Sequence, residues 1–182
     1  DGLTACLQKQ FNWNVTQIDN DGETGGGHEH DLLNDETFAR LKQQAAAGSY
    51  HAMFIGFPCS TFSISRFFPH DPPGPPILRT HEHPDGLPED EIPPAHRREL
   101  RRSNVLLERT VELAIIANES PTKTTIIFEN PSDRSIKGSS QYISKALENH
   151  GSVFRTSAFK RLLHALGDAS SCTFAYCRLG AE

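Results

Sequence analysis

No apolar run in this chain approaches the roughly 20 residues that a helix needs to cross a bilayer; the longest are of strand length. No basic leader followed by an apolar stretch stands at the start, and no lipidation motif is found there. No membrane partner is therefore expected. Cysteine is scarce: Cys6, Cys59, Cys172 and Cys177 are too few in a chain of 182 residues for the disulfide framework of a small secreted domain. They read as reduced thiols of an intracellular protein, with nothing to decide between nucleus and cytoplasm. Cys172 and Cys177 are separated by four residues, and neither a Cys-x2-Cys nor a His-x3-His pair accompanies the nine scattered histidines, so no metal site is predicted. Surplus positive charge is missing as well. A net charge of −5 argues against purely electrostatic, non-specific binding to nucleic acid, though not against an enzyme that holds DNA locally.

The length suits one domain with a real hydrophobic core. Leu3 to Phe11 reads as a short helix, Asn14 to Ile18 as a strand ending at Asp19, and His28 to Leu33 as a short strand ending near Asp31. Between them Gly25-Gly26-Gly27 lacks the Lys-Ser/Thr of a phosphate loop and reads as a connector. Asp35 to Ala47 is a helix, with Phe38, Leu41 and Ala45 on one face and Gly48 as its stop. Ala52-Met53-Phe54-Ile55 is a buried strand. A proline-rich stretch of about 60–94 follows, too long for an idle loop in a compact domain. A long helix spans about Ala95 to Asn118, a second buried strand Thr124 to Phe128, and further helices Ser140 to Asn149 and Ala158 to Leu166. Cys172 to Cys177 reads as a last strand. Strands alternating with helices predict an α/β fold with a mainly parallel sheet.

The chemistry sits at two strand ends. The first strand runs into Gly56-Phe57-Pro58-Cys59-Ser60-Thr61-Phe62-Ser63, and the second into Phe128-Glu129-Asn130-Pro131 about 70 residues later. Carboxyl ends of parallel strands are where α/β folds put their reactive groups. A thiolate and a carboxylic acid delivered to one edge are the two groups needed to activate cytosine. The thiolate adds at C6, the acid hydrogen-bonds N3, and C5 becomes able to attack an electrophilic methyl group. The acid must be protonated to donate, which a partly desolvated pocket favours. Taken singly, each strand is also readable as plain core and Cys59 as an inert thiol.

Gly-Phe-Pro-Cys-Ser-Thr-Phe-Ser resembles the Pro-Cys motif of the DNA cytosine-5 methyltransferases, and Phe128-Glu129-Asn130-Pro131 resembles their Glu-Asn-Val motif with proline in place of valine. The resemblance covers most of the chain. It implies a Rossmann-like fold for residues 1–182, a partial catalytic domain that binds S-adenosylmethionine and a flipped-out cytosine of DNA. It makes Cys59 the nucleophile, Glu129 the acid on N3, Asn130 the brace of the loop, and Pro58 the residue that shapes the loop beside the cofactor. It points to Asp19 for the cofactor ribose, with Gln17 as a competing alignment, and to Asp31 for the adenine amine. Either aspartate is also readable as a turn or helix cap.

Ser60 to Arg66 would form the mobile loop over the base. The family's Gln-x-Arg-x-Arg motif is not recognisable, which leaves Arg66 and Arg134 as substitutes or as surface and phosphate contacts. Arg97, Arg98, Arg101 and Arg102 open the long helix, where the macrodipole disfavours cations. They read either as DNA contacts, Arg97 and Arg101 first, or as a face neutralised by Glu89, Asp90, Glu91 and Glu99. The glycine-rich first motif and the C-terminal motifs are not seen, so the expectation is a fragment incomplete at both ends. A module that no longer catalyses but binds DNA or a partner is the alternative. A thymidylate-synthase-like nucleotide methylase, which also has a Pro-Cys nucleophile, fits the Glu-Asn-Pro strand less well. Oligomeric state, target sequence and the choice between DNA and RNA are not legible.

Overall fold

A computed structural model describes residues 3–19, 21, 26–69 and 71–173. Its order is α1 (Leu3–Phe11), α2 (Asp35–Ala46), β1 (Ala52–Gly56), α3 (Pro94–Glu119), β2 (Thr125–Glu129) and α4 (Ser157–Leu166). The fold mixes helix and strand around a small sheet in which β1 and β2 pair in parallel. Parallel neighbours need a long crossover, and the proline-rich segment with α3 supplies it.

Local chemistry sets the helix bounds. Asn34 caps α2 by accepting from the backbone N–H groups of Glu36 and Thr37, and Gly48 beyond its end takes φ 73°. Pro94 starts α3, where its missing N–H costs nothing. Thr156 caps α4 through Phe159 N–H.

Side-chain alternation splits the sheet into two faces. Ile55 and Phe57, with Met53, Ile126 and Phe128, pack on Leu107, Val111 and Ala114 of α3 and on Ala158, Phe159 and Leu162 of α4. Aromatic edges knit this core: Phe159 lies 5.1 Å from Phe128 and 5.1 Å from Phe154, and Phe57 stacks on Phe128 at 6.4 Å. The opposite face carries Phe54 and Ile127, both exposed. On the outside, Lys42 pairs with Glu112 at 2.5 Å and Arg109 with Asp35, tying α2 to α3.

Three expected elements differ. Residues 12–19 form no strand, and His28–His30 is a single 3₁₀ turn instead of part of a strand. Among the described residues neither segment has a strand to pair with, and an extended run without a ladder gains nothing from β structure. The expected helix over Ser140 to Asn149 shrinks to a 3₁₀ turn at Lys145–Leu147. Ser139 Oγ there takes the Gln141 N–H, competing with helical bonding, and Ile143 is exposed while Leu147 is fully buried. The expected strand from Cys172 lies, from residue 174 on, outside the described residues, and Cys172 and Thr173 carry no regular structure.

The proline-rich stretch is irregular, as its composition predicts, yet packed. It makes 3₁₀ turns at Ser60–Phe62 and Ile64–Phe67, and buries Leu78, Arg79, Thr80 and Ile92. Thr80 bridges His150 in antiparallel fashion, and a Cβ on Gly151 would come within 2.8 Å of the Arg79 and Thr80 backbone. Only glycine permits that approach.

Candidate functional site

Register decides what the two strand ends present. Gly56 is the partner of Glu129, so the two residues lie on one face of the sheet, opposite the face of Ile55 and Phe128. Nothing lies within 4 Å of the position a Gly56 Cβ would take, so the half-buried Glu129 has open space beside it. Three residues past Gly56, Cys59 sits at φ −88°, ψ 0°, the bridge region where active-site residues recur. Its carbonyl accepts from Phe62 N–H at 2.9 Å and opens the Ser60–Phe62 turn, while its thiol is exposed. It is not a core thiol. Cys6 and Cys172 are free as well.

The two ends are tied together by Asn130, whose Nδ2 donates to the Phe57 carbonyl at 2.8 Å. That bond joins the residue after β2 to the segment after β1. Asn130 Oδ1 is buried without a partner among the described residues.

The turn after Cys59 is held by side chains from four distant places. Arg66 Nε donates to the Ser60 carbonyl at 2.7 Å, with its other donors on the Pro76 carbonyl and on Glu99. Arg79 Nε donates to Thr61 Oγ1 at 3.1 Å and its guanidinium lies 4.0 Å over the Phe62 ring. Ser103 Oγ meets Thr61 Oγ1 at 2.9 Å. His150 Nε2 bonds the Phe62 carbonyl at 2.8 Å, and its Nδ1 accepts from Arg134 N–H. These two partners select the Nε2–H tautomer of neutral imidazole. Residues 60–66, expected to form the loop over the base, make two 3₁₀ turns, and Ser60, Thr61 and Phe62 each have side-chain partners.

Arg79 is 2 % exposed and, among the described residues, has no carboxylate in contact; Pro84 O, Ser103 Oγ and Asn104 Oδ1 take three more of its donors. Burial lowers its pKa to about 10, partly countered by Asp85 and reinforced by the neighbouring Arg66. Neither Arg79 nor His150 was singled out from the sequence. The only hint was the apolar Ile77-Leu78 ahead of Arg79, a sign that this piece of the proline-rich stretch turns inward. Past Glu129, Asp133 is gripped by Ser135 Oγ at 2.6 Å and by Arg155 Nε at 2.5 Å. Burial alone would raise its pKa, but the hydrogen bonds from Ser135 and Arg155 win and hold it below the usual value.

The arginines expected at DNA sort differently. Arg66 is buried and turned inward, so it is a staple of the loop and is not placed to meet a phosphate. Arg134 donates to the Gln141 carbonyl and Oε1, both at 3.0 Å. Arg101 and Arg97 lie 3.1 Å and 3.9 Å from Glu89, which makes them members of a surface ion cluster. Arg98 and Arg102 are the pair that lines a cleft.

That cleft, of about 1490 Å³, is walled by β1, by residues 13–19 and 30–33, and by Pro58, Ser60 and the first turns of α3. Asp19 and Asp31 line it, both half-buried. Each has one carboxylate oxygen on a backbone N–H two residues ahead, Asp21 at 3.0 Å and Leu33 at 2.9 Å. They are Asx turns, as the plainer reading had it, and each still has a second oxygen. Gln17 is drawn in through its carbonyl, 2.9 Å from His30 Nδ1. No group of three or more His, Cys, Asp or Glu among the described residues is placed to hold a metal, and no described helix is long and apolar enough to cross a membrane. Comparison with family models, with curated proteins and with solved structures finds no match.

Proposed function

We propose that this chain is part of the catalytic core of an S-adenosylmethionine-dependent DNA cytosine-5 methyltransferase, its two strands belonging to a Rossmann-like sheet. The observation that carries the reading is the parallel pairing that ends β1 and β2 side by side, with Cys59 just beyond one end and Glu129 on the other. The Asn130 bond to Phe57 supports it, because it fixes one end against the other.

The cleft fits the cofactor by its lining. Asp19 would accept from ribose hydroxyls and Asp31 from the adenine amine, each through its free oxygen. Phe54 offers an apolar aromatic wall, and the bare Gly56 and Pro58 leave room where cleft and strand end meet. Bound S-adenosylmethionine supplies an electrophilic methyl group on a sulfonium centre.

The chain's own residues do the rest. Cys59, as thiolate, forms a bond to C6 of cytosine, and the C5–C6 double bond opens toward the ring. Glu129 donates to N3 and stabilises the electron density that arrives there. C5 is thereby a carbon nucleophile. Once it is alkylated, loss of the C5 proton to a base re-forms the double bond and expels the thiolate. The bonds that hold the 57–62 turn support this role, because a prefixed loop lowers the ordering cost of attack.

Methyl transfer from labelled S-adenosylmethionine to cytosine-containing duplex DNA tests the proposal. Cys59→Ala is expected to abolish it, and Glu129→Gln to slow it by about 10²–10⁴, the span of general-acid contributions. DNA binding without transfer by the unaltered protein would favour a non-catalytic binding module.

A further inference from the structure

In the sequence the four arginines that open α3 form one cluster; the helix divides them into two rows. Arg97 and Arg101 share Glu89. Arg98 and Arg102, also one turn apart, line the cleft together with Ser60 and Thr61, beside the Cys59 turn. Both are exposed, and no hydrogen bond or ion pair among the described residues engages either guanidinium. The acid between them does not neutralise them: Glu99 is taken by Arg66 and by His96 Nδ1 at 3.0 Å. Cations in the first turns of a helix oppose its dipole. Two of them left unpaired on one wall are a standing unfavourable field that an anion relieves.

We infer that Arg98 and Arg102 grip the sugar-phosphate backbone of DNA next to the target nucleotide, with Arg97 and Arg101 excluded from the contact. The inference rests on the methyltransferase reading for the identity of the anion. Side chains one turn apart on a helix have Cβ atoms about 5–6 Å from each other, which suits neighbouring phosphates along one strand. Arginine adds the fork geometry that matches phosphate oxygens. The grip lies at the Ser60 end of the cleft, so it positions the strand and carries no sequence information. It also reconciles DNA binding with a net charge of −5: the field is local.

The test uses the 182-residue chain, a short cytosine-containing duplex DNA and no cofactor, with binding followed by fluorescence anisotropy between about 50 and about 200 mM salt. The double variant Arg98→Gln, Arg102→Gln is expected to weaken binding to every duplex alike. It should reduce the slope of log K against log salt by about 1 for each arginine. Arg97→Gln, Arg101→Gln should leave the slope as it is, and thermal unfolding should show both doubles folded with a single cooperative transition. Equal losses from the two pairs, no loss from Arg98 and Arg102, or no binding by the unaltered chain would each overturn the inference. Binding of the expected kind without methyl transfer would sink the enzyme reading alone. Methyl transfer with the slope unchanged in Arg98→Gln, Arg102→Gln would sink this one alone.

Discussion

The turn after Cys59 and the segment carrying Asp19 and Asp31 border the same cleft but are held in place to different degrees. Around the thiol, the carbonyls of Phe57, Ser60 and Phe62 and the hydroxyl of Thr61 each have a side-chain partner, drawn from the residue after β2, the proline-rich stretch, α3 and His150. Behind them stands a core of interlocked aromatic rings. The other wall is tethered at its Asp31 end, where Arg109 of α3 donates to the Leu32 carbonyl at 3.0 Å and Thr37 and Arg40 of α2 donate to the Glu29 carbonyl, and is held more lightly toward Asp19. No side chain of α1 is buried, and residues 13–19 are attached by a few exposed bonds, such as Thr4 to Gln17 at 3.3 Å and His30 to the Gln17 carbonyl. One wall fixes the Cys59 turn through long-range side-chain bonds. The other combines short local turns at Asp19 and Asp31 with tethers to α2 and α3 at one end only.

The comparison can be broken first at Arg79. Arg79→Ala removes a buried cation, opens a cavity and strands the acceptors of Pro84, Ser103 and Asn104. It should cost about 3 kcal/mol in chemical denaturation, with the loss of the Cys59 turn's order read by faster amide exchange at Phe62. A cost near zero would mean that the turn does not depend on its buried anchor.

Acid is a gentler probe of the anchored side. The Asp133 carboxyl is held below its ordinary value in the fold, so its contribution to stability is fully present above the unfolded pKa of about 3.9. It is lost as pH falls through the lower, folded value. Asp133→Asn should therefore be less stable than the unaltered protein at neutral pH and should converge with it in the acid limb, below about pH 3.9. Parallel acid limbs would show that the grip of Ser135 and Arg155 adds no stability.

The smallest stability effect is expected on the opposite wall. Asp31→Ala should change unfolding by about 0.5 kcal/mol, the loss of one part-buried turn bond. The same change should weaken S-adenosylmethionine binding by about tenfold, equal to 1.4 kcal/mol. A large loss of stability with unchanged cofactor binding would reverse the roles of the two walls.

The same contrast separates what the sequence made legible from what it did not. The apolar runs of β1 and β2 and the stripes of α2, α3 and α4 announce themselves because their burial follows from local periodicity. Cys59 and Glu129 are legible for the same reason, as the residues where those runs end. The expected strands at Asn14 to Ile18 and His28 to Leu33 failed because a strand depends on a neighbour, which a local pattern does not supply. Arg66, Arg79 and His150 were missed as anchors because charged residues in a proline-rich or polar stretch read as surface. Only the folding of that stretch onto α3 turns them inward. The division of the α3 arginines is a matter of helical phase, and Glu89, their partner, lies in the preceding loop.

Covalent capture is the most direct measure of whether Cys59 and Glu129 form one reactive edge. Duplex DNA carrying 5-fluorocytosine at a target position, incubated with the protein and S-adenosylmethionine, cannot lose fluorine as a proton is lost, so the Cys59–C6 bond should persist. Mass spectrometry should then find the DNA on the peptide containing Cys59, with no adduct in Cys59→Ala and slower capture in Glu129→Gln. An adduct formed equally well by Cys59→Ala, or mapped to Cys6 or Cys172, would contradict the account.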